Sequence, residues 1–238
     1  MSADASQTFV VPKVTSRPRV PLEDPLNSLA EGVAKLHTLW LKATYPFASF
    51  GRRVRIHPSA ILSRSVAPGI KVGDFVIIRN HAWINTFDLA GPDDVKIIID
   101  DHTVINAQCA ISAKNRIHIE DHVLVSACSL IMDHNHAYDD VTRPIRQQGP
   151  TPGGTIRIEQ GCWIGQGAAI VCNQGELVLG RNCIVAANSL VTRSFPPYSV
   201  IVGNPARVAK RFDPEKQAWV GGGAADREGA AALSPGGR

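Results

Sequence analysis

Aliphatic residues recur every six positions through the middle of this chain, in sets of three. The sets read Val72, Ile78, Ile84; Ile99, Ile105, Ile111; Ile119, Val125, Ile131; Ile158, Ile164, Ile170; and Leu179, Val185, Val191. A weaker first set includes Ile56 and Leu62. The residue two places before each obeys a second rule, shrinking across a set: Ile70, Val76, Ala82; Ile97, Thr103, Cys109; and so on to Leu177, Cys183, Ser189. A period of six fits neither a helical turn nor plain alternation. It fits a short strand plus a turn, with residues two apart pointing the same way. Three such units close a triangular coil, and successive coils stack about 4.8 Å apart as parallel sheets. The pattern therefore predicts a prism with aliphatics inside and small residues where it narrows. Extra residues at 87–96 and 173–176 become corner loops. Gly161, Gly165, Gly167 and Gly180 suit corners that need positive φ or close backbone approach.

The rhythm stops after Ile131, inside Ser129-Leu130-Ile131-Met132-Asp133-His134-Asn135-His136, and resumes at Ile158. A polar, irregular excursion on a regular scaffold is where a site is expected. Upstream, Leu29, Val33, Leu36, Leu39 and Trp40 recur at helical spacing and predict a helix over about 26–43 that covers the open end of the scaffold. The aromatic cluster Trp40, Tyr45, Phe47, Phe50 follows it. A membrane-surface helix is disfavoured, because the polar face lacks the usual Lys/Arg enrichment. Residues 1–24 read as a flexible arm, 25–50 as helix and aromatic cap, and 51–212 as the repeat domain with a loop at 132–157. The domain closes with a last strand, a proline turn and a short basic helix. Residues 213–238 are Gly/Ala-rich and read as a disordered tail.

Composition narrows the classes. A chain of 238 residues suits one domain with tails. The formal charge of +4 comes with no Lys/Arg block of the kind that binds nucleic acid. No run of about 18 apolar residues predicts a transmembrane segment. No signal-peptide pattern opens the chain, so a cytoplasmic protein is expected. Five cysteines at irregular spacing point to reduced thiols. Cys109, Cys162 and Cys183 hold the small inward position and read as packing, and nothing beside Cys128 or Cys172 suggests an activated thiol.

The repeat, the Cys162-Trp163-Ile164-Gly165 segment, the segment from Val202 to Val208 (ValGlyAsnProAlaArgVal) and the histidine-bearing excursion together resemble the hexapeptide-repeat acyltransferases. The likeness covers about 51–212 and points to the maltose/galactoside O-acetyltransferases and the O-acetyltransferases of polysaccharide biosynthesis. It implies an all-β fold, a left-handed parallel β-helix with an N-terminal helix, a protruding loop and a short C-terminal helix. It also implies a homotrimer with acetyl-CoA lying in a trench between neighbouring prisms, and no metal. Carried over residue by residue, His134 is the general base and Asn106 contacts the acceptor hydroxyl. Trp163 and Gln166 flank the pantetheine arm and thioester, with the Gln166 backbone N–H on the acyl carbonyl. Ala187 and Thr192 match pantetheine contacts, while Arg193, Arg207 and Lys210 match basic positions near the CoA phosphates. His136 is a candidate second functional residue in acceptor binding or one that only orders the loop, while Asp133, like Asp139 and Asp140, could orient a histidine, bind an acceptor or be a solvated loop residue. Residues 1–50 and the loop after His134 depart from the family pattern, so acceptor identity does not carry over.

Acetyl transfer from a thioester to an alcohol needs a base, an oxyanion site and two substrates held in contact. A neutral imidazole suits the first and typically contributes about 10²–10⁴-fold. Backbone N–H groups at the corners suit the second, and a trench beside an acceptor pocket the third. No Ser or Cys nucleophile with an adjacent base is evident, so direct transfer is expected. Three other functions compete: N-acetylation of an amino sugar, a non-catalytic scaffold, and a metalloenzyme of γ-carbonic-anhydrase type using His81, His118 and His122. The last is weakened by a spacing of four where that family has five, and by Ala127 where a further histidine belongs.

Overall fold

The computed structural model describes residues 25–221 except Asp88 and Pro92, with side chains from Leu29 onward. The expected arm at 1–24 and the part of the tail beyond 221 lie outside the described residues.

The six-residue rhythm winds into a parallel β-helix. Sheet A stacks β1 (Ser49–Phe50), β3 (Ile70–Val72), β6 (Ile97–Ile99), β9 (Arg116–Ile119), β12 (Thr155–Ile158) and β15 (Glu176–Leu179). Sheet B stacks β2 (Arg55–Ile56), β4 (Ile77–Ile78), β7 (Val104–Ile105), β10 (Leu124–Val125), β13 (Trp163–Ile164), β16 (Ile184–Val185) and β18 (Ser199–Val202). Sheet C stacks β5 (Trp83–Thr86), β8 (Ala110–Ala113), β11 (Leu130–Met132), β14 (Ala169–Val171) and β17 (Leu190–Val191). The chain visits A, B and C in turn, so each coil has an A–B, a B–C and a C–A corner. In-register pairing superposes equivalent residues, for example Val104, Leu124, Trp163 and Ile184.

Every aliphatic of the five complete sets, and every residue two places before one, is at most 2% exposed. Each buried isoleucine contributes roughly 1.5–3 kcal/mol of transfer free energy. Corners are tighter than a glycine count suggests. Phe75, His102, His122 and Asn182 take positive φ at A–B corners, as do His81, Gln108, Cys128 and Asn188 at B–C corners. Gly161 and Gly167 share that conformation. Gly165 serves close approach instead, since a Cβ there would lie 2.6 Å from the Ala187 nitrogen.

The two ends differ from expectation. Helix α1 (Pro25–Thr44) docks on the first coil, and the Thr38 hydroxyl accepts from the Ile56 N–H at 2.9 Å. It packs through Ala34, His37, Thr38 and Leu41, while Leu29, Val33, Leu36, Leu39 and Trp40 are exposed. The predicted apolar face is therefore not the packed one. At the far end the expected basic helix is a strand. β19 (Arg207–Asp213) pairs antiparallel with β18, and β20 (Ala218–Gly221) pairs with β19, so ordered structure continues past 213. The free edge of sheet B demands backbone partners, and that demand overrides the helical propensity of a short basic segment. Val208 tucks inward, and Phe212 meets Trp219 edge-on at 5.6 Å.

Candidate functional site

The residues singled out in the sequence fall at two corners of the prism. The B–C corner holds a groove of about 410 Å³ lined by Ser126, Trp163, Gly165, Gln166, Ile184, Val185, Ala186 and Ala187. Trp163 stands outward on sheet B, 48% exposed, and its indole N–H donates to the Ser126 hydroxyl at 2.9 Å. That bond holds the indole upright as a wall. Gly165 keeps the floor low. The backbone N–H groups of Gln166 and Ala187, each two residues past the end of its strand, have no partner among the described residues. A corridor with an aromatic wall, aliphatic floor and unpaired amides fits an amide-bearing chain ending in a carbonyl. Asn106 lies on the same corner, aligned with Ser126 through the β7–β10 register. Its side-chain N–H donates to the Val125 carbonyl at 2.9 Å, which leaves the amide oxygen to a ligand.

The histidines sit at the C–A corner. Asp133 is fully buried, and its carboxylate accepts the backbone N–H groups of Lys114, Asn115 and Arg116 at 2.7, 2.8 and 2.8 Å. The same carboxylate faces the His134 Nδ1 at 3.0 Å. A carboxylate saturated by N–H donors only accepts, so Nδ1 carries the proton and Nε2 the lone pair. The His134 ring meets Phe87 edge-on at 4.7 Å and is 5% exposed. His136 is exposed at the neck of the loop, where it bridges Pro150. The neck is a short antiparallel ladder: Ala137 N–H donates to the Gly149 carbonyl, and Thr151 N–H to the Asn135 carbonyl. The Lys114 ammonium and the Asn115 amide hold the returning strand through the Thr151 and Pro152 carbonyls. Tyr138, Val141 and Ile145 expose apolar surface on the loop.

Trp163, Gln166 and Ala187 thus come together in the groove, and Asp133, His134 and His136 come together at another corner. Arg207 and Lys210 lie on β19 opposite Val202 and Val200, continuing the sheet that forms the groove. Thr192 and Arg193 follow β17 at the C–A corner, and the Arg193 guanidinium lies 4.8 Å over Phe195, so one chain does not bring them to the groove. Ser126 and Phe87 were not expected. Ser126 has a signal, because it takes the register position of Asn106 and Gly165; Phe87 sits in an aperiodic insertion and has none. Ser112, whose buried hydroxyl has no partner among the described residues, lies opposite Met132 in the same ladder.

The remaining reactive groups are accounted for structurally. Burial raises the Cys109 and Cys172 thiols. The hydrogen bond between Cys162 and Cys183, with burial, raises Cys162, and the same bond lowers Cys183, but both side chains are buried in the core, where no substrate reaches them. His118 pairs with Asp100 at 2.6 Å on sheet A, His122 stacks on His102 at an A–B corner, and His81 turns a B–C corner. The three do not converge within one chain.

The coil, its corner groove and its histidine-bearing insertion define a hexapeptide-repeat β-helix protein. No protein-family model matches the chain. Its sequence is 30% identical over 185 residues to "Probable acetyltransferase Rv3034c" of Mycobacterium tuberculosis, covering 77% of this chain and 55% of that protein. It is 26% identical over 129 residues to WbbJ of Escherichia coli, whose provisional name is a lipopolysaccharide biosynthesis O-acetyl transferase, covering 52% of this chain and 64% of that protein. The chain therefore spans between half and two-thirds of the length of these relatives. Among solved structures, the N-acyltransferase AntD of Bacillus cereus, in complex with dTDP and 3-hydroxybutyryl-CoA, superposes with a TM-score of 0.60 at 22% identity, over 75% of this chain and 89% of that one. A hexapeptide-repeat acetyltransferase of Vibrio cholerae complexed with acetyl-CoA gives 0.50 at 22%, over 81% and 91%. These likenesses show the fold, a left-handed parallel β-helix.

Proposed function

We propose that the protein is a CoA-dependent O-acetyltransferase that moves an acetyl group from acetyl-CoA to a hydroxyl of a sugar or cell-surface polysaccharide precursor. The working unit is a homotrimer, and His134 is the general base. The observation that carries this reading is the separation of the two half-sites. The groove lies at the B–C corner and the oriented histidine at the C–A corner of one prism, so a second copy must bring the histidine to the groove. The exposed apolar loop offers that second copy a contact. Acceptor class follows the name of the E. coli relative.

The transfer follows from the groups present. His134 Nε2 takes the proton of the acceptor hydroxyl, and the oxygen attacks the thioester carbonyl carbon. The developing oxyanion meets the unpaired Gln166 N–H, while Asn106 holds the acceptor. The C–S bond breaks, and the imidazolium returns its proton to the departing CoA sulfur. Trp163 and Ala187 line the pantetheine, with Arg207 and Lys210 near the phosphates. Thr192 and Arg193 act from the neighbouring chain.

One observation favours a second reading. His136 is exposed whereas His134 is not, and a base must reach its substrate. The test is CoA-thiol release from acetyl-CoA with a panel of sugars, nucleotide sugars and lipid-linked glycans. His134→Ala is expected to lower kcat/KM about 10²–10⁴-fold. Undiminished release in that variant, with loss in His136→Ala, would move the base to His136.

A further inference from the structure

The first end of the prism carries two features that acetyl transfer does not use. The first is the outward stripe of α1. Leu29, Val33, Leu36, Leu39 and Trp40 are 48–70% exposed on a helix whose opposite side is already packed. The second is charge. Residues 29–79 contain eight Lys/Arg (Lys35, Lys42, Arg52, Arg53, Arg55, Arg64, Lys71, Arg79) and two acidic residues, Glu31 and Asp74, although the whole chain carries only +4. All eight basic side chains are exposed. Glu31 pairs with Lys35 and Asp74 with Arg52, and the other six have no carboxylate partner among the described residues. Stripe and charge meet at a cleft of about 310 Å³ whose lining includes Lys35, Leu39, Lys42, Phe50, Arg53 and Val54.

We propose that this end of the prism docks on the surface of an anionic phospholipid bilayer, with α1 lying in the headgroup plane. The basic residues that such a helix ordinarily carries itself are here supplied by the first two coils, which is why α1 alone does not announce the role. Leucines and a tryptophan suit the boundary between headgroups and acyl chains, while Lys42 and Arg53 seat lipid phosphates beside the apolar cleft. No described helix is long and apolar enough to cross a membrane, so α1 lies on the surface. Charge complementarity selects this occupant. A second copy meeting the same end would set one basic ring against another. A nucleic acid would satisfy the charge but press phosphates against the leucines.

The test is co-sedimentation of the full chain with phosphatidylcholine vesicles, with and without phosphatidylglycerol. Binding is expected only with phosphatidylglycerol and weakens as salt rises. The double variant Lys42→Glu/Arg53→Glu and the single variant Leu36→Glu are each expected to partition at least about tenfold less, with unchanged circular dichroism and melting temperature. Three results would overturn the proposal: no binding to anionic vesicles, wild-type partitioning of both variants, or conversion of the oligomer to a smaller species by Leu36→Glu, which would give the stripe to a second copy. None of these readouts depends on transferase activity.

Discussion

Asp133 looks like a loop residue in the sequence and turns out to be the most constrained side chain of the site. It has no solvent exposure, and three consecutive backbone N–H groups from the preceding coil fix its carboxylate. Its remaining contact decides which nitrogen of His134 can accept a proton. Asp133→Asn keeps the shape but introduces a donor, which favours the opposite tautomer. The expected result is a fall in kcat of about 10²–10⁴-fold, comparable to losing a general base, with the KM for acetyl-CoA unchanged. Because the substitution also costs a saturated acceptor, the melting temperature should fall as well. A loss of stability with kcat intact would confine Asp133 to a structural role. Asp133 was legible as a polar residue next to a histidine. An orienting role was one of the readings that adjacency offered, but its complete burial was not legible, because the turn at 114–116 that holds it belongs to the preceding coil.

At the scale of the strand, the repeat was legible because inward and outward positions differ in chemistry and recur without error. Ile105 and Leu124 illustrate the contrast, one with no exposure and the other 41% exposed. Ile105→Ala should destabilise by about 2–5 kcal/mol, whereas Leu124→Ala should stay near 0.5 kcal/mol, as denaturant titration would measure. The elements that misled are those where pattern and partner disagree. The apolar spacing of α1 is real, but a different side of the helix packs, because Thr38 and His37 must answer the backbone of Ile56 at the open end. The segment from Arg207 to Asp213 reads as a basic helix until the unpaired edge of β18 is taken into account. Edge demands come from the assembled coil, so no local window of sequence contains them.

The whole molecule divides its proposed site between copies, which gives a direct test at that scale. A chain with His134→Ala keeps a groove, and a chain with Ala187→Trp, which fills the groove from an exposed position, keeps a histidine. Each alone should be nearly inactive, and co-refolding the two should restore thiol release, since mixed trimers contain interfaces where an intact groove meets an intact histidine. Absence of restoration in a verified mixed trimer would place the site within one chain. The stacked coil also says how such a chain can change its length. Each coil touches only its neighbours, and each strand alternates inward and outward positions, so gaining or losing a single residue inside a strand would turn every following side chain to the wrong face. A whole coil can be added or removed with the register intact. The C–A corners, which already absorb insertions at 87–96 and 133–154, can take any length. Evolution of this protein is therefore quantised along the prism axis and continuous at one corner, the corner from which the acceptor would be chosen.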